Sequence, residues 1–470
     1  MEHTTYDFGL VGLGVMGRNF ILNVADNGFT AFGHDLDEEK VQALREEGGD
    51  TARVDASADR KAFINALARP RKIMLLVPAG KIVDGVIESL LPLLDKGDII
   101  IDGGNSFFTD TDRREAYLQE KGIHFFGAGV SGGAKGARKG PSIMPGGSKA
   151  AYKEVQPVFE AVSAKFKGEP CVAYLGPKSA GNYVKMVHNG IEYGLMQLTS
   201  EIYDLLKRAG GLSNDQLHGL FSRWNQGRLQ SFLVEITARI FKQDDPLAGG
   251  RLVDKILDKA RQKGTGKWTS QNAMDLGIPI PSIDIAVSMR EISALKEQRV
   301  LASKAYTRPT PEPIAVEALE TLSESALFFS FMIPYAQGMH HLADASREYG
   351  YDLDLGTIAK IWRAGCIIRA ALLEDITKAY RADEGLENFL LSPAFIPKIQ
   401  ESQEAARSLV AYAAKSGVPL PALSNSLTYF DAFTSDRLPL NLIQAQRDHF
   451  GSHTYERTDR EGIFHTEWDE

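Results

Sequence analysis

Through the first third of the chain, short apolar runs alternate with longer stretches in which apolar residues recur every three or four positions. The runs cover residues 8–11, 30–33, 73–77, 99–102 and 124–127. Runs of four or five residues are too short for buried helices. Separated by helical patterns, they predict an α/β unit on a mainly parallel sheet, from Phe8 to about Lys178. Beyond Lys178 the pattern changes to long segments with a period near 3.6, over residues 182–209, 229–243, 252–263 and 325–350. Each predicts an amphipathic helix, so the second part is expected to be almost wholly helical. From Arg437 onward polar and aromatic residues take turns with no sustained helical period. That tail reads either as a frayed terminus or as an arm that docks on another chain. The expected division is 1–178, 179–436 and 437–470.

Trp224-Asn225-Gln226-Gly227, followed by an apolar stretch to Ile236-Thr237, is echoed by Trp362-Arg363-Ala364-Gly365 and a stretch to Ile376-Thr377. The second line begins 138 residues later and slips by two before it ends. An internal duplication and a chance likeness both account for two such lines.

Composition narrows the class. A chain of 470 residues has room for two to four domains, and 43% hydrophobic with 24% charged residues is the balance of a folded soluble protein. The formal net charge of −8 leaves no global basic field for nucleic acid or an anionic membrane. Cys171 and Cys366 form no Cys-x-x-Cys pair, which excludes a disulfide framework and a thiolate metal site. The first residues lack a signal-peptide pattern, and the most apolar run, 326–333, is too short to span a bilayer. A cytoplasmic protein is expected.

Gly12-Leu13-Gly14-Val15-Met16-Gly17 follows the first predicted strand and opens a predicted helix. That setting places backbone N–H groups and a helix dipole against a pyrophosphate, so a dinucleotide site is expected there; a plain strand-to-helix turn is the alternative. Asp35 ends the second strand, 18 residues after Gly17. A carboxylate there accepts hydrogen bonds from the ribose hydroxyls of NAD and repels the 2′-phosphate of NADP; Leu36 and Asp37 follow it instead of an Arg. The alternative is a surface Asp that caps the next helix.

Lys185, His188, Asn189, Glu192 and Tyr193 fall on one stripe of a 3.6-residue helix, two turns long and too polar for a core face. A Lys and a carboxylate on one cleft wall divide base and acid duties when burial lowers one pKa and raises the other. Lys263-Gly264-Thr265-Gly266-Lys267-Trp268, Arg290, Arg447 and His453 make a dispersed basic set suited to a phosphate, which sequence alone does not bring together. The ten histidines show no metal-ligand spacing, and no metal is expected.

With these residues in hand the chain resembles the 6-phosphogluconate dehydrogenase family almost end to end. Besides Gly12 to Gly17, the likeness rests on Ile101-Asp102-Gly103-Gly104-Asn105-Ser106, Gly129-Val130-Ser131-Gly132-Gly133, Gly140-Pro141-Ser142-Ile143-Met144-Pro145-Gly146-Gly147, the segment from Lys185 to Tyr193, Lys263 to Trp268, and Arg447 to Tyr455. The resemblance implies a Rossmann-type domain, a large helical domain with a duplicated helical unit, and a C-terminal tail that enters the partner subunit of a homodimer, with pairing into tetramers left open. It implies that Asn105, Ser131, Gly132, Gly133, Lys185, His188, Asn189, Glu192, Tyr193, Lys263, Thr265 and Arg290 hold 6-phosphogluconate, joined by Arg447 and His453 of the neighbouring chain. Gly12, Leu13, Gly14, Val15, Met16, Gly17, Asp35, Val77 and Asn105 would hold the dinucleotide. The implied reaction is the oxidative decarboxylation of 6-phosphogluconate to ribulose 5-phosphate in the pentose phosphate pathway, with Lys185 as base then acid and Glu192 as acid. One departure stands out: NADP-dependent members usually carry Asn-Arg-Thr where this chain has Asp35-Leu36-Asp37, so NAD is expected over NADP. A β-hydroxyacid dehydrogenase that does not decarboxylate, and a catalytically silent nucleotide sensor, are the rival readings.

Overall fold

The structure, a computed structural model, describes residues 5–49 and 53–468. Strands β1 (Phe8–Val11), β2 (Ala31–His34), β3 (Val54–Ser57), β4 (Lys72–Leu75), β5 (Ile99–Asp102), β6 (His124–Ser131) and β7 (Ser142–Pro145) form one sheet in the order β3-β2-β1-β4-β5-β6-β7. The first six run parallel and β7 lies antiparallel on β6. Parallel strands are joined by crossovers that cover both faces, here α1 (Val15–Asp26), α2 (Glu38–Gly48), α3 (Arg60–Ala66), α4 (Lys81–Leu90) and α5 (Phe108–Glu120). That double cover explains why every residue of β1 and β5 is buried and why both were legible as short apolar runs, β5 closing on Asp102. The strand order reverses between β1 and β4, which opens a crevice at the carboxyl ends of the strands. Helices α6 (Gly133–Lys139) and α7 (Lys149–Val162) and a small hairpin, β8 (Lys165–Phe166) with β9 (Glu169–Pro170), complete this part.

Two sheet strands escape the apolar pattern. Val54-Asp55-Ala56-Ser57 is an edge strand that buries alternate residues, with one bulky side chain among them. Ser142-Ile143-Met144-Pro145 is buried throughout but framed by polar and turn-forming residues.

The remainder is helical: α8 (Ala180–Arg208), α9 (Asn214–Trp224), α10 (Phe232–Lys242), α11 (Thr265–Leu276), α12 (Pro281–Ala294), α13 (Lys296–Ala305), α14 (Val316–Tyr349), α15 (Leu355–Ile361), α16 (Leu372–Ala382), α17 (Ile396–Lys415), α18 (Pro421–Phe433) and α19 (Leu440–Gly451). The helix expected over 252–263 does not form. Only Leu252–Asp254 makes a turn of 3-10 helix, and the apolar Ile256 and Leu257 beyond it are 61% and 59% exposed. With nothing in the chain to receive that face, a periodic pattern alone does not hold a helix.

The duplication is real. Helices α8 to α12 and α14 to α18 follow in the same order, and the long helices α8 and α14 pack on each other. Gly277-Ile278-Pro279-Ile280-Pro281 leads into α12 as Gly417-Val418-Pro419-Leu420-Pro421 leads into α18. The loops after Trp224 and Trp362 meet each other, with Phe232 N–H donating to Arg369 O at 3.0 Å and Ala371 N–H to Gln230 O at 2.9 Å. A buried carboxylate ties the two copies: Glu201 of α8 accepts the N–H groups of Ala422 and Leu423 at 2.8 and 3.0 Å, at the positive end of α18.

The tail is ordered, contrary to the frayed reading and to the absence of helical period. After α19, β10 (Tyr455–Glu456) and β11 (Ile463–Phe464) form a hairpin folded around Asp448. This fully buried carboxylate accepts Thr454 N–H at 2.8 Å, Thr466 N–H at 3.0 Å and Trp468 Nε1–H at 2.9 Å, and pairs with His465 Nδ1 at 2.8 Å. Polar organisation of this kind leaves no apolar period to read.

Candidate functional site

At the crevice, β1 passes through Gly12 into α1. A Cβ on Gly17 would lie 1.8 Å from the carbonyl oxygen of Gly12, so the turn admits no side chain there. Around Gly14 the reverse holds: nothing stands within 4 Å of where its Cβ would be, and Val15 is 60% exposed. No side chain caps the start of α1, so its first N–H groups face open space. An uncapped helix end behind a bare glycine fits the pyrophosphate of a dinucleotide. Val77, at the end of β4, walls the turn, its Cγ1 2.9 Å from the position of a Gly12 Cβ. Asn105 is exposed on the loop after β5.

Asp35 lies at the end of β2 beside the glycine turn, and the fold engages its carboxylate. Its Oδ2 accepts Leu13 N–H at 2.8 Å, its Oδ1 accepts Asp37 N–H at 3.1 Å, and Lys40 Nζ stands 3.6 Å away. The carboxylate thus ties the end of β2 to the glycine turn, and the cap of α2 is Asp37, which accepts Glu39 N–H. Lys40 adds a positive charge that the sequence argument for repelling a 2′-phosphate did not count. Leu36 is 75% exposed beside it.

The second half of the site is built on α8, whose first turns lie against β6. A Cβ on Gly129 would come within 2.3 Å of the Lys185 Cβ, so a glycine in the strand is what lets the lysine reach Ser131 and the strand end. Gly132 and Gly133, at φ 124° and 62°, turn the chain from β6 into α6. The stripe read from the sequence is a connected network. Lys185 Nζ–H donates to Asn189 Oδ1 at 2.8 Å, and Asn189 Nδ2–H donates to Thr265 Oγ1 at 3.1 Å. His188 Nδ1 lies 3.1 Å from Asn189 Oδ1, and its Nε2 lies 3.2 Å from Ser131 Oγ. In one tautomer Nδ1–H donates to Asn189 and Nε2 accepts from the Ser131 hydroxyl, with Lys185 Nζ 3.3 Å from Nδ1. Asn189 Oδ1 then takes two donors, and the lone pair of a neutral Lys185 stays free for a substrate proton.

Burial sets the charges. Lys185 is 5% exposed, and desolvation brings its ammonium from 10.5 down to about 8, against the opposing pull of Glu192 and Cys366. The Glu192 side chain is 20% exposed, and desolvation raises its carboxyl despite Lys185 and Arg290. Burial, seconded by Lys185, holds His188 far below its usual range and therefore neutral. A base pushed down and an acid pushed up, seven residues apart on one helix, are the separated pair that acid–base catalysis at neutral pH requires.

At the anion end, Gly264 takes φ 103° and starts α11 without a side-chain cap. Gly266 is required by packing, because a Cβ there would strike the Tyr193 ring at 2.3 Å. Arg290 of α12 lies over the other side of that ring, its guanidinium carbon 3.4 Å from the centroid. Lys263 is exposed just before the turn. Arg447 and His453 are exposed on the tail and make their contacts there: Arg447 Nη1–H donates to Gln444 Oε1 at 3.0 Å, and His453 stacks edgewise on Phe450. Within one chain the structure brings together Ser131, Lys185, His188, Asn189, Glu192, Tyr193, Thr265 and Arg290, and it does not bring in Arg447 or His453.

Sequence reasoning missed the floor of this site, a strap from the second helical copy. Trp362 meets the His188 ring edgewise at 5.6 Å, and Ile367 N–H approaches Ser131 Oγ at 3.4 Å. Gly365 O accepts Ser142 N–H at 3.0 Å, which fastens the strap under β7. The available signal was the Trp362-Arg363-Ala364-Gly365 line, read only as a mark of repetition.

Comparison with known proteins agrees with this geometry. Residues 7–176 match the NAD binding domain of 6-phosphogluconate dehydrogenase, and residues 181–468 match the C-terminal domain of 6-phosphogluconate dehydrogenase. The chain is 52% identical over 463 residues to the NADP(+)-dependent, decarboxylating 6-phosphogluconate dehydrogenase of Bacillus subtilis, covering 98% of each chain. It is 50% identical over 463 residues to the decarboxylating enzyme of Escherichia coli, again covering 98% of each. The solved 6-phosphogluconate dehydrogenase of Plasmodium falciparum, described in apo form and in complex with NADP+ and with 6-phosphogluconate, superposes with a TM-score of 0.95 at 45% identity, over 98% of this chain and 100% of that one. By sequence, by domain order and by fold, the chain belongs to the 6-phosphogluconate dehydrogenase family.

Proposed function

We propose that the chain catalyses the oxidative decarboxylation of 6-phospho-D-gluconate to D-ribulose 5-phosphate and CO2 with reduction of NAD or NADP. The carrying observation is the buried Lys185, drawn down to about 8 beside a raised Glu192 on the same helix. Residues 12–17, Val77 and Asn105 would hold the dinucleotide, which when bound supplies the acceptor for the hydride leaving C3. Neutral Lys185 takes the proton of the 3-hydroxyl as that hydride leaves. The resulting 3-keto acid has its carbonyl β to the carboxylate, so loss of CO2 delivers the electron pair into the carbonyl. Protonated Lys185 then donates to the developing enediol oxygen. Protonated Glu192 gives its proton to the carbon that becomes C1 of ribulose 5-phosphate as Lys185, neutral again, takes back the proton of the enediol hydroxyl and leaves the C2 ketone. Ser131, Gly132, Gly133, His188 and Asn189 orient the sugar acid, and Lys263, Thr265, Tyr193 and Arg290 hold its phosphate end. Following absorbance at 340 nm with 6-phosphogluconate while trapping CO2 tests this, and absence of reduction with either dinucleotide overturns it.

The finer reading of cofactor choice is NAD over NADP. It is supported by the Asp35 carboxylate beside the glycine turn and by exposed Leu36 where NADP-dependent members usually carry an Arg. Parallel titrations decide it, and tighter NADP overturns it. The assembly proposed is a homodimer in which residues 437–470 of each chain reach the other, delivering Arg447 and His453 to its substrate. Supporting this, the folded tail presents Leu442, Ile443, Phe450 and Ile463, each at least half exposed. Light scattering of the whole chain and of a chain ending at residue 436 tests it: dissociation and a raised KM for 6-phosphogluconate are expected on truncation. The units proposed are 1–178 for the dinucleotide and 179–436 for substrate and dimerisation. No helix among the described residues is long and apolar enough to cross a membrane, which supports a cytoplasmic setting.

A further inference from the structure

The strand ends at the crevice are apolar in β1 and β4, at Val11 and Leu75, but β5 ends in a carboxylate, Asp102, that is 0% exposed. A buried charge is costly unless fully engaged, and its partners show what it is for. Asp102 Oδ1 accepts Gly104 N–H at 3.0 Å, and its Oδ2 accepts the Ser106 hydroxyl at 2.6 Å. The loop is wrapped around the carboxylate, and Asn105 is the residue between the two that are bound.

Arg114 of α5, whose side chain is 1% exposed, extends this hold to a second loop. Its Nη1 lies 3.5 Å from Asp102 Oδ2 and donates to Ser106 Oγ at 3.3 Å. Its Nε and Nη2 donate to Asp84 Oδ1 and Oδ2 at 2.8 and 3.2 Å on α4, and Nη2 also donates to Gly80 O at 3.0 Å. One guanidinium therefore fixes the loop after β4, which carries Val77, against the loop after β5, which carries Asn105. The two loops touch at Gly104, where a Cβ would stand 3.2 Å from Val77 O. Gly104 O is in turn faced by Asn182 Nδ2 at 3.4 Å, one helical turn before Lys185 on α8.

We propose that Asp102, locked by Arg114, is a positioning residue for hydride transfer: it sets Asn105 against Val77 and against the helix that carries Lys185. It touches neither substrate nor dinucleotide and acts through the loop. The inference rests on the reaction proposed above. Because hydride transfer depends steeply on approach distance, a loop displaced by about 1 Å costs on the order of 100-fold in the transfer step.

Asp102→Asn keeps the shape and one acceptor but removes the charge that Arg114 meets, Arg114→Lys keeps the charge but loses the fork, and Asp84→Asn weakens the arm to α4, together with the exposed pair Asp84 makes with Arg113 at 2.9 Å, and leaves Asp102 untouched. Kinetics with 6-phosphogluconate deuterated at C3 provide the readout. Asp102→Asn and Arg114→Lys are expected to lower kcat roughly 10-fold or more, to raise KM for the dinucleotide, and to enlarge the primary isotope effect as hydride transfer becomes limiting. Asp84→Asn is expected to show a smaller change of the same kind. A purely structural role would lower Tm and leave the isotope effect where it is in the wild type. Folded variants with wild-type kcat, dinucleotide KM and isotope effect overturn the inference. If Asp102→Asn does not fold, Asp84→Asn decides on the same readouts. If the wild type itself does not turn over, the proposed reaction fails, and fluorescence titration with NADH reads the loop instead: unchanged affinity in Arg114→Lys overturns the inference.

Discussion

Replacing Lys185 with Met removes the amine and keeps an unbranched chain in the same slot. The site lets the cost be worked out. Burial moves the ammonium from 10.5 to about 8, which at about 1.4 kcal/mol per pH unit is roughly 3 kcal/mol against the charged form. The folded pKa lies below the unfolded one, so between about 8 and 10.5 the unfolded state binds more protons and wild-type stability rises with pH. Below about 8 the penalty is present in full, and Met carries none of it. The lost bond from Lys185 to Asn189 Oδ1 costs about 1 kcal/mol, because His188 Nδ1–H still satisfies that oxygen. Lys185→Met is therefore expected to be the more stable protein at pH 7, by roughly 2 kcal/mol, and to lose that advantage toward pH 10. Glu192 works in the same direction: without Lys185 its carboxyl rises further, and the folded variant resists ionising it as pH climbs. Turnover should fall by about 100- to 10,000-fold. Calorimetry at pH 7 and pH 9.5, with dinucleotide reduction measured on the same samples, checks both arms. Retained turnover would refute Lys185 as the base, and a Tm difference that does not change between the two pH values would refute the depressed amine.

Three further outcomes follow from the same geometry. Since Lys185 must be neutral, kcat/KM should climb about 10-fold per pH unit below about 8 and level off above it; a flat profile from pH 6 to 8 would exclude an amine with that ionisation. Leu36→Arg supplies a charge-assisted partner for a 2′-phosphate, and at about 1.5–3 kcal/mol should shift the ratio of kcat/KM toward NADP by roughly 10- to 100-fold; no change in the ratio would show that the position does not read the phosphate. Gly129→Ala puts a methyl 2.3 Å from the Lys185 Cβ, so a loss of about 1–3 kcal/mol in stability and a lower kcat are expected from calorimetry and steady-state assay, and wild-type values in both would show that the strand yields freely.

What was legible in the sequence was what periodicity or a fixed turn dictates. β1 and β5 were readable to the residue because strands buried on both faces are mostly apolar, β5 up to its terminal Asp102, and the glycine turn because backbone must approach backbone there. The polar stripe on α8 was readable because a polar face on an otherwise buried helix conflicts with core packing. Three things were not. β3 is an edge strand and needs no apolar run. The tail is organised by one carboxylate, Asp448, rather than by a helical face. The contacts of Asp35 with Leu13 N–H and Asp37 N–H, which tie β2 to the glycine turn, were not foreseen. Long-range polar partners of this kind leave no periodic trace.

The duplication sets the polar stripe of α8 beside a second long helix that has none. Taking Gly210 and Gly350 as equivalent helix ends, the positions in α14 that match His188, Asn189, Glu192 and Tyr193 are Phe328, Phe329, Met332 and Ile333. Those four side chains are at most 5% exposed. α8 lies against β6 and the open crevice, whereas α14 is enclosed between α8 and α17, where a polar stripe would have neither substrate nor water to satisfy it. The second copy contributes instead through its loop, which places Trp362 and Ile367 beneath His188 and Ser131. Each copy is thus incomplete as a site: the first holds the stripe with the proposed base and acid but no floor, and the second supplies the floor.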